Sequence, residues 1–96
     1  ADYNQALRIN PNYAEAYYNR GNAWNGKGEH DRAIEDFNQA LRINLNDADA
    51  YINRGFAYYG KGDYARARAD WERALQINPN DANARNNLEA LRQMGY

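Results

Sequence analysis

The chain contains no cysteine, no serine or threonine and no valine, and its single histidine is His30. Without cysteine there are no disulfides and no thiolate metal sites. With one His and no Cys, Ser or Thr, no nucleophile–base–orienter set is visible, and one histidine lacks the companions that a zinc site needs. Carboxylate neighbours such as Glu35 and Asp36 read as solvated helix surface. The expectation is therefore no catalytic residue, no metal, no cofactor and no enzymatic activity. No apolar run is long enough to span a bilayer, and no signal peptide is read at the start. Twelve Lys+Arg against thirteen Asp+Glu give a net charge of −1, so concentrated basic charge for nucleic acid or an anionic membrane is missing. A soluble protein is expected, with cytoplasm and periplasm both open.

Present instead are helix formers (Ala, Leu, Arg, Gln, Glu) together with nine Tyr, two Trp, two Phe and fifteen Asn. Strands usually recruit the β-branched residues that are scarce here. The organisation emerges when the sequence is slid against itself by 34 residues: 14–47 falls on 48–81 with about 19 identities, a period known from helical arrays. Upstream, "NQALRIN" occurs at 4–10 and again at 38–44. The expected partition is a second helix of an earlier repeat at 1–13, repeats at 14–47 and 48–81, and a closing helix at 82–96. Within a repeat, first helices are predicted over 14–27 and 48–61, and second helices over 30–43 and 64–77. Gly28 and Gly62 stand where a helix end wants a left-handed residue, with Glu29 and Asp63 opening the next helix. "INPNY", "INLND" and "INPND" close the second helices; proline cannot continue a helix, and Asn or Asp can cap the next one.

One stretch mimics another chemistry. "RGFAYYGKGDY" holds Gly55-x4-Gly60-Lys61, one residue short of a phosphate-binding loop, but Gly62 replaces the metal-binding hydroxyl. Its twin "RGNAWNGKGEH" lies 34 residues earlier, so the glycines belong to the repeat. Gly55 permits close helix contact, Gly62 turns the chain, and Lys61 suits a helix C-terminus. Gly60 is left without a firm reason.

Tyr17, Gly21, Trp24, Ala33, Phe37 and Ala40, repeated as Tyr51, Gly55, Tyr58, Ala67, Trp71, Ala74 and Pro79, resemble the tetratricopeptide (TPR) repeat family. "YxNRG" at 17–21 and 51–55 is similar to its bacterial members. Leu45 in the proline position, and Arg20 and Arg54 where the family often has Leu, depart from the pattern. The resemblance implies an all-α fold: antiparallel helix-turn-helix repeats stacked in a right-handed superhelical solenoid. Gly21 opposite Ala33, and Gly55 opposite Ala67, read as close crossings; the aromatics read as filling, with Leu41, Ile43, Leu75 and Ile77 between repeats. His30 is expected to pack at the helix junction. Arg20 and Arg54 are expected to form structural ion pairs, within a repeat (Asp36, Asp70) or between repeats (Asp2, Asp36), the first being preferred; recognition of a ligand carboxylate is the rival use.

The resemblance also places first helices on an inner wall, where a stacked array forms a groove for a protein or peptide partner. Non-core positions should line it: Glu15, Tyr18, Asn19, Asn22 and Asn25; Asp49, Ile52, Asn53, Phe56 and Tyr59; Asn83, Asn86 and Ala90. The amides can donate to and accept from a peptide backbone, and Tyr18, Ile52, Phe56 and Tyr59 would form an exposed apolar patch. The family's carboxylate clamp is matched at its two asparagines by Asn22 and Asn53, but Tyr18, Asn83 and Asn86 replace its basic residues, so a receptor for chaperone tails is not expected. The alternative is a homo-oligomer, joined head-to-tail through Tyr3, Ala6 and Leu7 at one end and Leu88, Leu91 and Met94 at the other.

Overall fold

The computed structural model describes residues 3–10 and 13–96. Asp2, the rival partner for Arg20, lies outside the described residues, as does the side chain of Tyr3. Six helices follow one another: α1 (Tyr3–Ile9), α2 (Ala14–Gly26), α3 (His30–Ile43), α4 (Ala48–Lys61), α5 (Tyr64–Ile77) and α6 (Ala82–Gln93). They form an all-α array of helical hairpins, 44 × 26 × 18 Å in extent. α2 packs on α3 and α4 on α5 as hairpins, α3 packs on α4 between hairpins, and α2 also touches α4.

The turns explain these boundaries. α2 and α4 each end in a left-handed glycine, Gly28 (φ 78°) and Gly62 (φ 86°). There Glu29 N–H reaches the Trp24 carbonyl and Asp63 N–H reaches the Tyr58 carbonyl, each at 2.9 Å, closing helix carbonyls that would otherwise lack partners. α3 and α5 end in extended Asn44 and Asn78. Asp47, Asp63 and Asp81 accept from the backbone N–H of Ala50, Arg66 and Ala84. Tyr13 and Glu29, at the corresponding places of the first hairpin, make no side-chain cap.

The core runs through the whole stack. Phe37, Ala33, Ile34 and Ala57 form one cluster, and Leu41, Tyr51, Ile52, Trp71 and Leu91 belong to the next; Tyr18 and Tyr58 pack against both. Phe37, Trp71 and Leu91 are fully buried, each contributing about 1.5–3 kcal/mol through removal of apolar surface from water. A Cβ at Gly21 would stand 2.8 Å from Phe37 Cε1, and one at Gly55 would stand 2.5 Å from Trp71 Nε1. The glycines thus make room for the large aromatics of the second helices.

Arg20 and Arg54 serve this scaffold. Each guanidinium grips a buried carboxylate of its own hairpin through two nitrogens: Arg20 holds Asp36 at 2.7 and 2.7 Å, and Arg54 holds Asp70 at 2.9 and 2.7 Å. The remaining nitrogen reaches back to the preceding hairpin, to Asn4 Oδ1 at 2.7 Å and to Asn38 Oδ1 at 2.8 Å. One arginine therefore ties three helices together. The bond to Asp36 holds Arg20 above its ordinary pKa; for Arg54, burial opposes the charge but the bond and charge of Asp70 prevail. Both stay cationic with no ligand carboxylate needed.

Candidate functional site

On a helix, positions four, seven and eleven apart share a face. Glu15, Asn19, Asn22 and Gly26 therefore run along one side of α2, and Asp49, Asn53, Phe56 and Gly60 along the matching side of α4. Because α2 and α4 touch, these two rows form adjoining walls of one trough. Asn53 ties the walls together, its Nδ2 donating at 2.9 Å both to the Tyr18 hydroxyl and to Asn22 Oδ1. In return, Asn25 Nδ2 donates to the Asn53 carbonyl at 3.0 Å.

Below this net lies an open depression of ≈ 400 Å³ lined by Asn22, Asn25, Gly26, His30, Asn53 and Phe56. Among its lining residues, Asn25 Oδ1 and His30 Nδ1 are buried without a hydrogen-bond partner. Such orphans are uncommon in a folded interior and cost free energy unless something pairs with them. The Phe56 ring stands at the rim, 46 % exposed, with its edge toward Trp71 at a centroid distance of 5.7 Å. Gly60 now has its reason: a Cβ there would lie 2.5 Å from His30 Nε2, so the glycine admits the imidazole of the preceding hairpin.

Several expected groove residues are placed otherwise. Ile52 is only 4 % exposed and belongs to the core, because α4 is covered by α5 on one side and by α2 and α3 on the other. An isolated hairpin would have left it facing out. Tyr18 presents only its hydroxyl to the trough; its ring meets Phe37 edge-on at 6.0 Å. Asn22 and Asn53 are bonded to each other rather than free. Asp49, Tyr59, Asn83, Asn86 and Ala90 are exposed and Asn19 is half-buried, but none of them lines the depression.

Two lining residues, His30 and Gly26, were not among the expected groove positions, nor was Asn87 of α6. Asn87 Nδ2 is buried and unpaired. The 34-residue shift could have found it, since Asn87 follows Asn53 by one repeat. The same shift accounts for the orphan: the residues one repeat after Tyr18 and Asn22, which Asn53 meets, are Ile52 and Phe56, and these offer no side-chain oxygen.

The end faces also change. Leu7 is 8 % exposed and Leu91 fully buried, so neither can serve a self-association face; Ala6 and Leu88 are half-buried. Met94 is exposed and its sulfur accepts from the Tyr59 hydroxyl at 3.5 Å. A second depression, lined by Tyr17, Arg20, Glu35, Asp36, Asn38 and Gln39, has Arg20 and Asp36 already committed to each other. Among the described residues no group of three or more His, Asp or Glu could hold a metal ion, and no helix is long and apolar enough to cross a membrane.

The family model of the tetratricopeptide repeat matches residues 48–81, and a second, described as TPR repeat, matches 1–24 and 26–62. No curated protein matches the sequence significantly. Among solved structures, the Arabidopsis OM64 TPR domain superposes with a TM-score of 0.92 at 30% identity, over 95% of this chain and 75% of that one. The first TPR of Spaghetti, bound to the HSP90 peptide SRMEEVD, gives 0.92 at 28% identity over 96% and 73%. YrrB, described as a TPR protein with an unusual peptide-binding site, gives 0.87 at 25% identity over 91% and 45%.

Proposed function

The chain belongs to the tetratricopeptide repeat family, and from that premise we propose that it is a protein-interaction scaffold receiving a peptide segment in the trough of α2, α4 and α6. The observation that carries the reading is the depression beside exposed Phe56, two of whose lining residues, Asn25 and His30, carry side-chain atoms without a hydrogen-bond partner. A peptide offers what these atoms lack, and its side chains can cover the Phe56 ring. Peptide binding by the Spaghetti and YrrB domains supports the reading. The partition at 1–13, 14–47, 48–81 and 82–96 belongs to the same proposal, the last three units each adding one stretch of wall.

The mode of capture differs from a clamp on a terminal carboxylate. The asparagines in the clamp positions, Asn22 and Asn53, are hydrogen-bonded to each other, and Tyr18, Asn83 and Asn86 stand where the clamp has its cations. Head-to-tail self-association has no specific observation in its favour, because Leu7 and Leu91 are spent in the interior. The test is selection of peptides from a random displayed library, followed by titration of the winners against the wild type and Phe56→Ala. Binding weakened by about tenfold or more in the variant is expected of a ring at the centre of an interface; undiminished binding would refute the assignment.

A further inference from the structure

Glu15 and Asp49 stand exposed, two helical turns before Asn22 and Phe56 on the same faces. Arg20, Arg54 and Lys61 are paired with Asp36, Asp70 and Asp31, while Lys27, over the Trp24 ring, keeps its charge at the opposite end of α2. Glu15 and Asp49 therefore make the N-terminal ends of both walls negative, which draws basic ligands and repels acidic ones.

The depression itself asks for a donor. Asn25 Nδ2 is fixed on the Asn53 carbonyl, so the amide orientation is set and the unpaired atom is the oxygen, an acceptor. Phe56 is exposed at the rim, and an aromatic face attracts a cation. An unpaired acceptor, an exposed ring and the carboxylates farther along both walls share one complement. Resting on the groove reading above, we infer that the depression between α2, α3 and α4 is a specificity pocket for an arginine or lysine side chain of an internal peptide segment. The head group donates to Asn25 Oδ1 and lies against Phe56, while Glu15 and Asp49 favour its approach. A peptide ending in acidic residues is disfavoured by the same charges.

The experiment uses the full chain and peptides selected from a random displayed library, synthesised with amidated ends and titrated by fluorescence anisotropy. Selected peptides are expected to share an Arg or Lys whose replacement by Gln weakens binding about tenfold, as for a lost charge-assisted hydrogen bond. Asn25→Leu is expected to erase that Arg-over-Gln discrimination, and Phe56→Leu to reduce it. Asn25→Asp is expected to enlarge it, which keeps the test decisive if the leucine variant fails to fold. Acidic or neutral winners that still map to the trough would overturn the pocket while leaving the groove standing. Discrimination unchanged in Asn25→Asp would also overturn the pocket. A library yielding no binder would remove the groove reading, and the pocket with it.

Discussion

Replacing Gly55 by alanine sets two effects of known size against each other. Alanine in a helix interior is favoured over glycine by about 1 kcal/mol. The added methyl would lie 2.5 Å from Trp71 Nε1 and 2.9 Å from Cδ1. Trp71 is 2 % exposed, its N–H donates to the Ile52 carbonyl at 3.1 Å, and the Phe56 and Tyr59 rings lie within 6.0 Å of it. Retreat of the indole is thus blocked by neighbouring rings and sacrifices a buried hydrogen bond. Overpacking costs about 1–3 kcal/mol and an orphaned buried N–H about 1–3 kcal/mol, leaving a net loss of about 1–5 kcal/mol once the helix gain is subtracted. Urea unfolding followed by circular dichroism reads this as a lower midpoint at unchanged slope. Gly26→Ala is the control: a Cβ there meets nothing within 4 Å, so a gain of about 0.5 kcal/mol is expected. If Gly55→Ala were as stable as the wild type, the close approach of α4 to Trp71 would not be what the glycine serves.

Arg54→Leu or Asp70→Ala alone should cost about 3 kcal/mol, because either leaves a buried or half-buried charge uncompensated, whereas the double variant should recover most of that loss. Additive single losses in urea unfolding would contradict the pairing. Glu29→Asp should install the cap that Asp63 provides one repeat later, raising stability by about 1 kcal/mol; an unchanged unfolding midpoint would show that the turn geometry forbids it. The Asp63 carboxyl is held below its ordinary pKa of 3.8, first by the Arg66 backbone N–H and then by the Arg66 side chain. A depressed carboxylate stabilises the fold above its unfolded pKa and loses that contribution as pH falls through the lower folded value. Asp63→Asn should therefore show a shallower loss of stability below about pH 4 than the wild type; identical acid profiles would refute this.

Helix positions were legible in the sequence because glycine, proline, Asn and Asp mark every turn at a fixed spacing. The pairing of Arg20 with Asp36 was legible as one of two choices, and a bidentate grip inside the hairpin settles it. What the sequence concealed lies between repeats. Ile52 reads as exposed until α2 and α3 cover it, and Gly60 has no purpose until His30 arrives from the preceding hairpin. The amides of Asn22 and Asn53 read as free donors and acceptors, but they face one another across two helices. Contacts of that kind depend on how hairpins stack, which a pattern within one repeat does not encode.

The central claim, a peptide-binding trough centred on Phe56, is tested most directly by chemical-shift mapping of the labelled chain titrated with a library-selected peptide. The account predicts shifts concentrated at Asn22, Asn25, Gly26, His30, Asn53 and Phe56, extending to the Trp71 indole behind Phe56. Shifts concentrated instead around Glu35, Asn38 and Gln39, or around Tyr64 and Tyr96, with the trough unmoved, would contradict it.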